Sequence, residues 1–234
     1  MKSLNNETIS KLLSETLPSF QAISKSDLNI GFGFLYYGFT RILRPKNICV
    51  IGSKAGFSVI SFALGLKDNA GSRVNKVGCW DTELSEEGVS GKVYFVDPSY
   101  SSERNDKNHW YGIGFWDDSK KVKKHWQKFG VGNLVTHFKM TSVEFLKNPA
   151  CPRDIDLLYI DGDHSFEGIT HDFTKYYDYL SKDAVILAHD VDPKLKEEDP
   201  ATGGYKAITE LDKNKFEVFR LPVFPGLAIV RKKL

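Results

Sequence analysis

From position 48 onward, short apolar runs of strand length take turns with amphipathic stretches of helical period. A strand buried on both faces is apolar throughout, so this alternation reads as a parallel sheet with crossover helices. It predicts strands at 48–51, 93–96, 135–138, 157–160 and 185–188, with helices near 58–66, 120–129, 143–146 and 169–180. A helix over 205–211 and two closing strands at 216–220 and 227–230 complete the series. Five β/α units followed by a late strand pair predict an α/β fold: a doubly wound, mostly parallel, seven-stranded sheet of the Rossmann-like type.

Upstream, Ile9, Leu12, Leu13 and Leu17 recur at helical spacing and stop at Pro18, whose missing N–H breaks a helix. The aromatic stretch from Phe32 to Leu43 carries Phe34, Tyr36, Tyr37 and Phe39 and reads mainly as core. Residues 1–45 are therefore expected as an N-terminal helical extension, and 46–234 as the α/β domain. Two long stretches, 67–92 and 98–119, interrupt the alternation. The second holds Tyr100, His109, Trp110, Tyr111, Phe115 and Trp116 just past a strand end, where open α/β sheets bind ligands. It is read as a lid over a substrate in preference to a structural aromatic cluster.

Composition changes this picture little. The 234 residues are 41% hydrophobic and 26% charged, with a formal net charge of +2, so no global field favours a polyphosphate backbone. A nucleic-acid partner is unsupported. Cys49, Cys79 and Cys151 show no paired spacing and suggest neither a zinc site nor a disulfide framework. No apolar stretch approaches the ~18 residues of a membrane span, and the first residues carry no apolar leader. The expectation is a soluble cytoplasmic protein with no membrane partner.

The candidate chemistry sits at strand ends. After the first strand, Val50-Ile-Gly-Ser-Lys-Ala-Gly-Phe-Ser58 is a glycine-containing turn, whose Gly52, Ser53, Lys54, Gly56 and Ser58 can bring backbone N–H groups close to a ligand. It has two glycines where a dinucleotide fingerprint has three. The second strand ends in Asp97-Pro98-Ser99, and a carboxylate there suits the two ribose hydroxyls of a nucleoside. Asp97 lies much farther from Gly52 than the roughly 20 positions of the usual fingerprint, which the polar 67–92 stretch accounts for; Asp81 competes but follows no clean strand. Thr141 and Ser142 stand where a strand runs into a helix, and serve equally as helix caps or as contacts to a base.

The most specific signal is Asp156-Leu-Leu-Tyr-Ile-Asp-Gly-Asp-His-Ser-Phe-Glu-Gly168. An apolar run ending in Asp161, Asp163, His164 and Glu167 gathers charge where a buried sheet opens, and such groups are costly to bury unpartnered. The next strand ends in His189 and Asp190 at the same sheet edge. Carboxylates and imidazoles converging in this way point to a metal or an acid–base site.

With these segments in view, the chain resembles the class I S-adenosylmethionine-dependent methyltransferases that act on small molecules, whose hallmark is D-G-D-H-S-[FY]-E-G followed by a strand ending in H-D. The resemblance extends to Val96-Asp-Pro-Ser99, His125-Trp-Gln-Lys-Phe-Gly-Val131 and Gly203-Gly-Tyr-Lys-Ala207. It implies S-adenosyl-L-methionine as cofactor, with Asp161 and Asp163 at its edge. More distantly the chain is similar to metal-dependent O-methyltransferases acting on catechols and macrolide sugars. That similarity implies Asp161, His189 and Asp190 as ligands of magnesium or another divalent metal, and His164, three positions after Asp161, as the base. His189 is a departure, since an acidic residue is expected there; it shifts preference towards Mn, Fe or Zn, or leaves the site without a metal.

The resulting expectation is methyl transfer to a hydroxyl of a small-molecule acceptor, sugar-bearing or phenolic, with Asp161 and His164 catalytic. Three rivals stand beside it. A nicotinamide-dependent oxidoreductase lacks here the third glycine and a Tyr-x-x-x-Lys pair. A metal-dependent hydrolase would use Asp161, Asp163, His189 and Asp190. A non-catalytic nucleotide-binding module would bind without turnover. The leading helix and the 32–43 segment offer surface that could cover a neighbouring subunit's site in a homo-oligomer.

Overall fold

The computed structural model describes residues 3–18, 21–70, 90–100, 114–195 and 202–233. A seven-stranded sheet runs β3-β2-β1-β4-β5-β7-β6, with β1 Asn47–Ile51, β2 Lys92–Val96, β3 Val135–Phe138, β4 Ile155–Ile160, β5 Leu180–His189, β6 Phe216–Leu221 and β7 Leu227–Lys232. The first five strands are parallel, and β7 inserts antiparallel between β5 and β6. The strand order reverses at β1, between β2 and β4, and a crevice at such a switch point is where open α/β sheets bind ligands.

Alternate residues of β1 serve opposite faces. Ile48 and Val50 join one core with helices α1 (Asn6–Glu15), α2 (Phe32–Leu43) and α3 (Phe57–Ala70), while Cys49 and Ile51 join the other with α6 (Phe166–Tyr176) and α7 (Gly204–Thr209). Both faces are covered, which explains the unbroken apolar runs in the sequence. α4 (Ser119–Lys128) starts at the Asp118 cap and buries Val122 and Trp126; the short α5 is Ser142–Phe145.

The N-terminal extension is built into this core. Leu12 and Tyr36 are fully buried in it, and Ser3 and Tyr37 hydrogen-bond the Asp68 carboxylate on α3. Gly65 of α3 lets α2 approach, since a Cβ there would lie 2.6 Å from Thr40 Cβ.

Several boundaries shift by a few residues, most of all at the start of β5. The helix predicted over 169–180 is α6 followed by a 3-10 turn, Tyr177–Tyr179, and β5 begins at Leu180. Phe173, Tyr176, Tyr177 and Leu180 mimic helical period, but Leu180 pairs with Ile155 ahead of a register shift in the β4–β5 ladder. The 98–119 lid expectation falls in part on residues 101–113, including His109, Trp110 and Tyr111, which lie outside the described residues, as do Asp81 and Cys79. Where it can be followed, it is corrected. Trp116 is buried, stacked on Trp126 at 5.0 Å and edge-on to Phe95 at 4.8 Å, a structural aromatic cluster. No helix among the described residues is long and apolar enough to cross a membrane.

Candidate active site

The glycine turn between β1 and α3 is fastened on several sides. Gly52 adopts φ +74°, and its N–H bonds Val96 O at 2.9 Å; a Cβ on it would collide with the carbonyl oxygen of Asp161. Ser53 Oγ pairs with Ser58 Oγ at 2.9 Å inside the turn. Trp116 Nε1 donates to Ser53 O at 3.1 Å and His125 Nε2 to Ala55 O at 3.1 Å. Gly56, at φ +85°, leaves room for the rings of Trp116 and Trp126. The aromatic cluster thus braces the turn from behind. Lys54 borders an open groove of about 370 Å³ together with Leu13, Leu17 and Ile23.

Asp97 closes the other side of the turn. Its carboxylate accepts from Ser53 N at 3.3 Å and from Ser99 N at 2.7 Å, and Ser99 is turned into the left-handed region at φ +59° beyond Pro98. Burial raises the Asp97 carboxyl to about 6, against the lowering effect of those two N–H donors. Thr141 and Ser142 have structural partners: Thr141 forms a capping box with Glu144, and the Ser142 side chain bonds the buried Asp172 carboxyl.

The Asp161–Gly168 segment resolves residue by residue. Asp161 N bonds Ile51 O at 2.9 Å, extending the β1–β4 ladder to the site. Gly162 passes close to Ile51. Asp163 Oδ1 accepts from Ser165 N at 2.9 Å, and Ser165 Oγ caps α6 through Gly168 N at 3.0 Å. Gly168 has no Cβ because the Asp163 carboxyl fills that space. Asp163, expected beside the cofactor, is bonded within this turn through Oδ1.

Those two meet the end of β5. His164 Nδ1 lies 3.2 Å from Asp190 Oδ2 and its Nε2 3.7 Å from Asp161 Oδ1; His189 Nδ1 lies 3.3 Å from Asp161 Oδ1 and 2.9 Å from Asp190 Oδ1. Asp190 reaches back through a left-handed φ of +57°, and Gly204 makes room for its carbonyl. Among the described residues, Asp161, His164 and Asp190 each offer a ligand atom within 4.8 Å of the others, so His164, expected only as base, stands in the same cluster. His189 is buried at 3% exposure with neither ring nitrogen in hydrogen-bond geometry, whereas His164 is 34% exposed and faces the opening.

The electrostatics of this cluster follow from its geometry. Burial lowers both imidazoles, but the carboxylates prevail: Asp161 and Asp190 raise His164 to about 9, and Asp190 with Asp161 raises His189 to about 10. Burial raises the Asp161 carboxyl, yet the charge of His189 and the contacts of His164 hold it at about 2. The carboxylates thus favour two charged imidazoles beside them. One divalent cation carries the same charge, and its arrival would release both protons, so the donor set of two carboxylates and imidazole nitrogen fits such an ion.

Three contributors carry no sequence signal. Gln21 Nε2 and Tyr159 OH each donate to Asp161 Oδ2 at 3.1 Å, and Tyr36 OH meets Tyr159 OH at 2.9 Å. The Tyr159 proton is spent on Asp161, so Tyr36 is the donor in the second bond.

Several solved structures share this fold. The fold is that of the O-methyltransferase from Bacillus cereus in complex with SAH, with a TM-score of 0.63 at 15% identity over 98% of this chain and 92% of that one. TomG, an O-methyltransferase of Streptomyces achromogenes, solved with SAM, gives 0.61 at 14% identity over 98% and 91%. A SAH-bound methyltransferase of Podospora anserina gives 0.60 at 16% over 97% and 87%. An uncharacterized protein of Acanthamoeba polyphaga mimivirus is 28% identical over 108 residues, 44% of this chain and 49% of that protein, so the match spans about half of that relative's length. A family described as a methyltransferase domain matches residues 49–191, from β1 to just past Asp190. That match takes in more than half of the chain and the C-terminal ends of β1 to β5, and the protein belongs to this methyltransferase family.

Proposed function

We propose that the chain transfers a methyl group from S-adenosyl-L-methionine to a hydroxyl of a small molecule, with a divalent cation at the Asp161–Asp190 cluster. The observation that carries this reading is the juxtaposition, at one sheet edge, of a glycine turn and ribose-type carboxylate with a two-carboxylate, two-imidazole cluster. Gly52 and Asp97 are suited to the nucleoside: the turn offers close backbone, and Asp97 is a poorly solvated carboxylate that gains from hydroxyl donors. The names of the Bacillus and Streptomyces neighbours support oxygen as the accepting atom.

In the transfer, the C–S bond of the sulfonium breaks as the C–O bond forms, and the hydroxyl proton passes to His164. Exposure assigns the imidazoles: His164 faces the opening, where an acceptor arrives, while His189 lies behind the carboxylates. A base must be neutral, and the two carboxylates keep His164 protonated near pH 7. A cation, when bound, supplies charge that acidifies the hydroxyl and offsets those carboxylates. His189, Asp161 and Asp190 would hold it. The 4.8 Å grouping favours a second reading in which His164 is itself a ligand. A near-neutral charge supports a small acceptor, sugar-bearing or phenolic, and the buried free thiols of Cys49 and Cys151 suit a reducing cytosol.

The test is to incubate the protein with methyl-labelled S-adenosylmethionine, Mn²⁺ and a panel of phenolic and sugar acceptors. Labelled ether product supports the reading. Cofactor binding without product on any acceptor supports the non-catalytic module.

A further inference from the structure

The two oxygens of Asp161 have different surroundings. Oδ1 faces the imidazoles of His189 and His164. Oδ2 accepts from Tyr159 OH and from Gln21 Nε2, each at 3.1 Å. Gln21 belongs to the segment between α1 and α2, upstream of the family match, and reaches across 140 positions to this carboxylate. Its backbone is fixed as well: its N–H bonds Pro18 O at 3.0 Å, and its carbonyl accepts from Phe32 N at 2.8 Å. Gly31, at φ +50°, leaves space for that carbonyl.

The other end of the amide is unusual. Gln21 Oε1 is buried with no hydrogen-bond partner among the described residues, which is unfavourable for a carbonyl. The amide cannot turn over to relieve it, because Oε1 would then face a carboxylate oxygen. A side chain present only for packing would be better as methionine, which has similar length and no orphaned polar atom. The arrangement makes sense if the Nε2 contact is what matters.

We infer that Gln21 is a positioning residue: together with Tyr159, itself backed by Tyr36, it ties down Asp161 Oδ2 so that Oδ1 is the oxygen offered to a divalent cation. The N-terminal segment thereby becomes part of the active site. This inference rests on the cation reading above. Partners that orient a metal-ligating carboxylate are commonly worth 10–100-fold in affinity.

The test titrates Mn²⁺ alone, by calorimetry, into the wild-type protein and the Gln21→Met and Tyr159→Phe variants, with thermal melts of each. The expected result is an affinity about tenfold weaker for Gln21→Met at an unchanged or higher melting temperature, with Tyr159→Phe also weaker. Unchanged affinity in Gln21→Met overturns the inference. So does a fall in melting temperature of several degrees or failure to fold, which would make Gln21 a structural residue. If the wild-type protein takes up no Mn²⁺, the cation reading fails, and this inference with it, while the methyl-transfer assay stands apart.

Discussion

Gly52 and Asp161 meet back to front: the backbone of the glycine turn passes so close to the carbonyl of Asp161 that no side chain fits between them. The turn proposed to bind the nucleoside and the edge proposed to carry the reaction are thereby fixed to each other through the adjacent strands β1 and β4. Gly52→Ala must both adopt a positive φ and displace β4. Strain of at least ~1–2 kcal/mol is expected, and a domain of this size loses roughly 2–4 °C of melting temperature per kcal/mol. Thermal melts and calorimetry with S-adenosylmethionine should record both a lower melting temperature and lost binding.

The proposed ribose contact of Asp97 predicts pH-dependent cofactor binding. Its carboxyl titrates at about 6, and ribose hydroxyls need the ionised form to donate to. Affinity for S-adenosylhomocysteine should therefore hold above pH 7 and fall about tenfold per unit well below pH 6. In Asp97→Asn the affinity should be low and flat across that range.

The acidic–imidazole cluster gives the metal-free protein its own pH profile. His164 and His189 are raised to about 9 and 10, so the stability they contribute is complete below their unfolded value of ~6.5 and is lost as pH rises through 9 and 10. Asp161 is depressed to about 2, so its contribution is present above ~4 and is lost as pH falls towards 2. Melts in chelator should show the melting temperature declining from pH 7 to 10, and Mn²⁺ should blunt that decline. Mn²⁺ affinity should rise over the same interval, because binding releases protons.

His164→Ala separates the two readings of that residue. As the base, its loss should lower turnover roughly 10²–10⁴-fold while cofactor affinity stays within about threefold of wild type and Mn²⁺ affinity holds or rises, because no His164 proton then has to leave. A parallel collapse of Mn²⁺ affinity would instead make it a ligand.

Much of this was legible in the sequence, for reasons that differ by element. β1, β2 and β4 could be read because their buried stretches are nearly continuous apolar runs, and the segment from Asp161 to Gly168 because its turn is held by local bonds from Asp163 to Ser165 and from Ser165 to Gly168. β5 was underestimated because its first half, through Lys182 and Asp183, is exposed and polar. Phe115 and Trp116 looked like a lid because aromatic residues beyond a strand end read the same whether they cover a ligand or brace a turn. Gln21, Tyr36 and Tyr159 were invisible as site residues. Their contacts join distant parts of the chain, and a tyrosine in a buried strand ordinarily reads as core.

The central claim is that one sheet edge holds the nucleoside between Gly52 and Asp97 and presents its sulfur to the Asp161–His164–Asp190 cluster. A crystal structure with S-adenosylhomocysteine and Mn²⁺ tests it most directly. The account predicts ribose hydroxyls within hydrogen-bond distance of the Asp97 carboxylate and the metal on Asp161 and Asp190, with the thioether sulfur opening towards His164. A nucleoside bound elsewhere, or an ordered site with Asp97 still bonded only to Ser53 and Ser99, would contradict it.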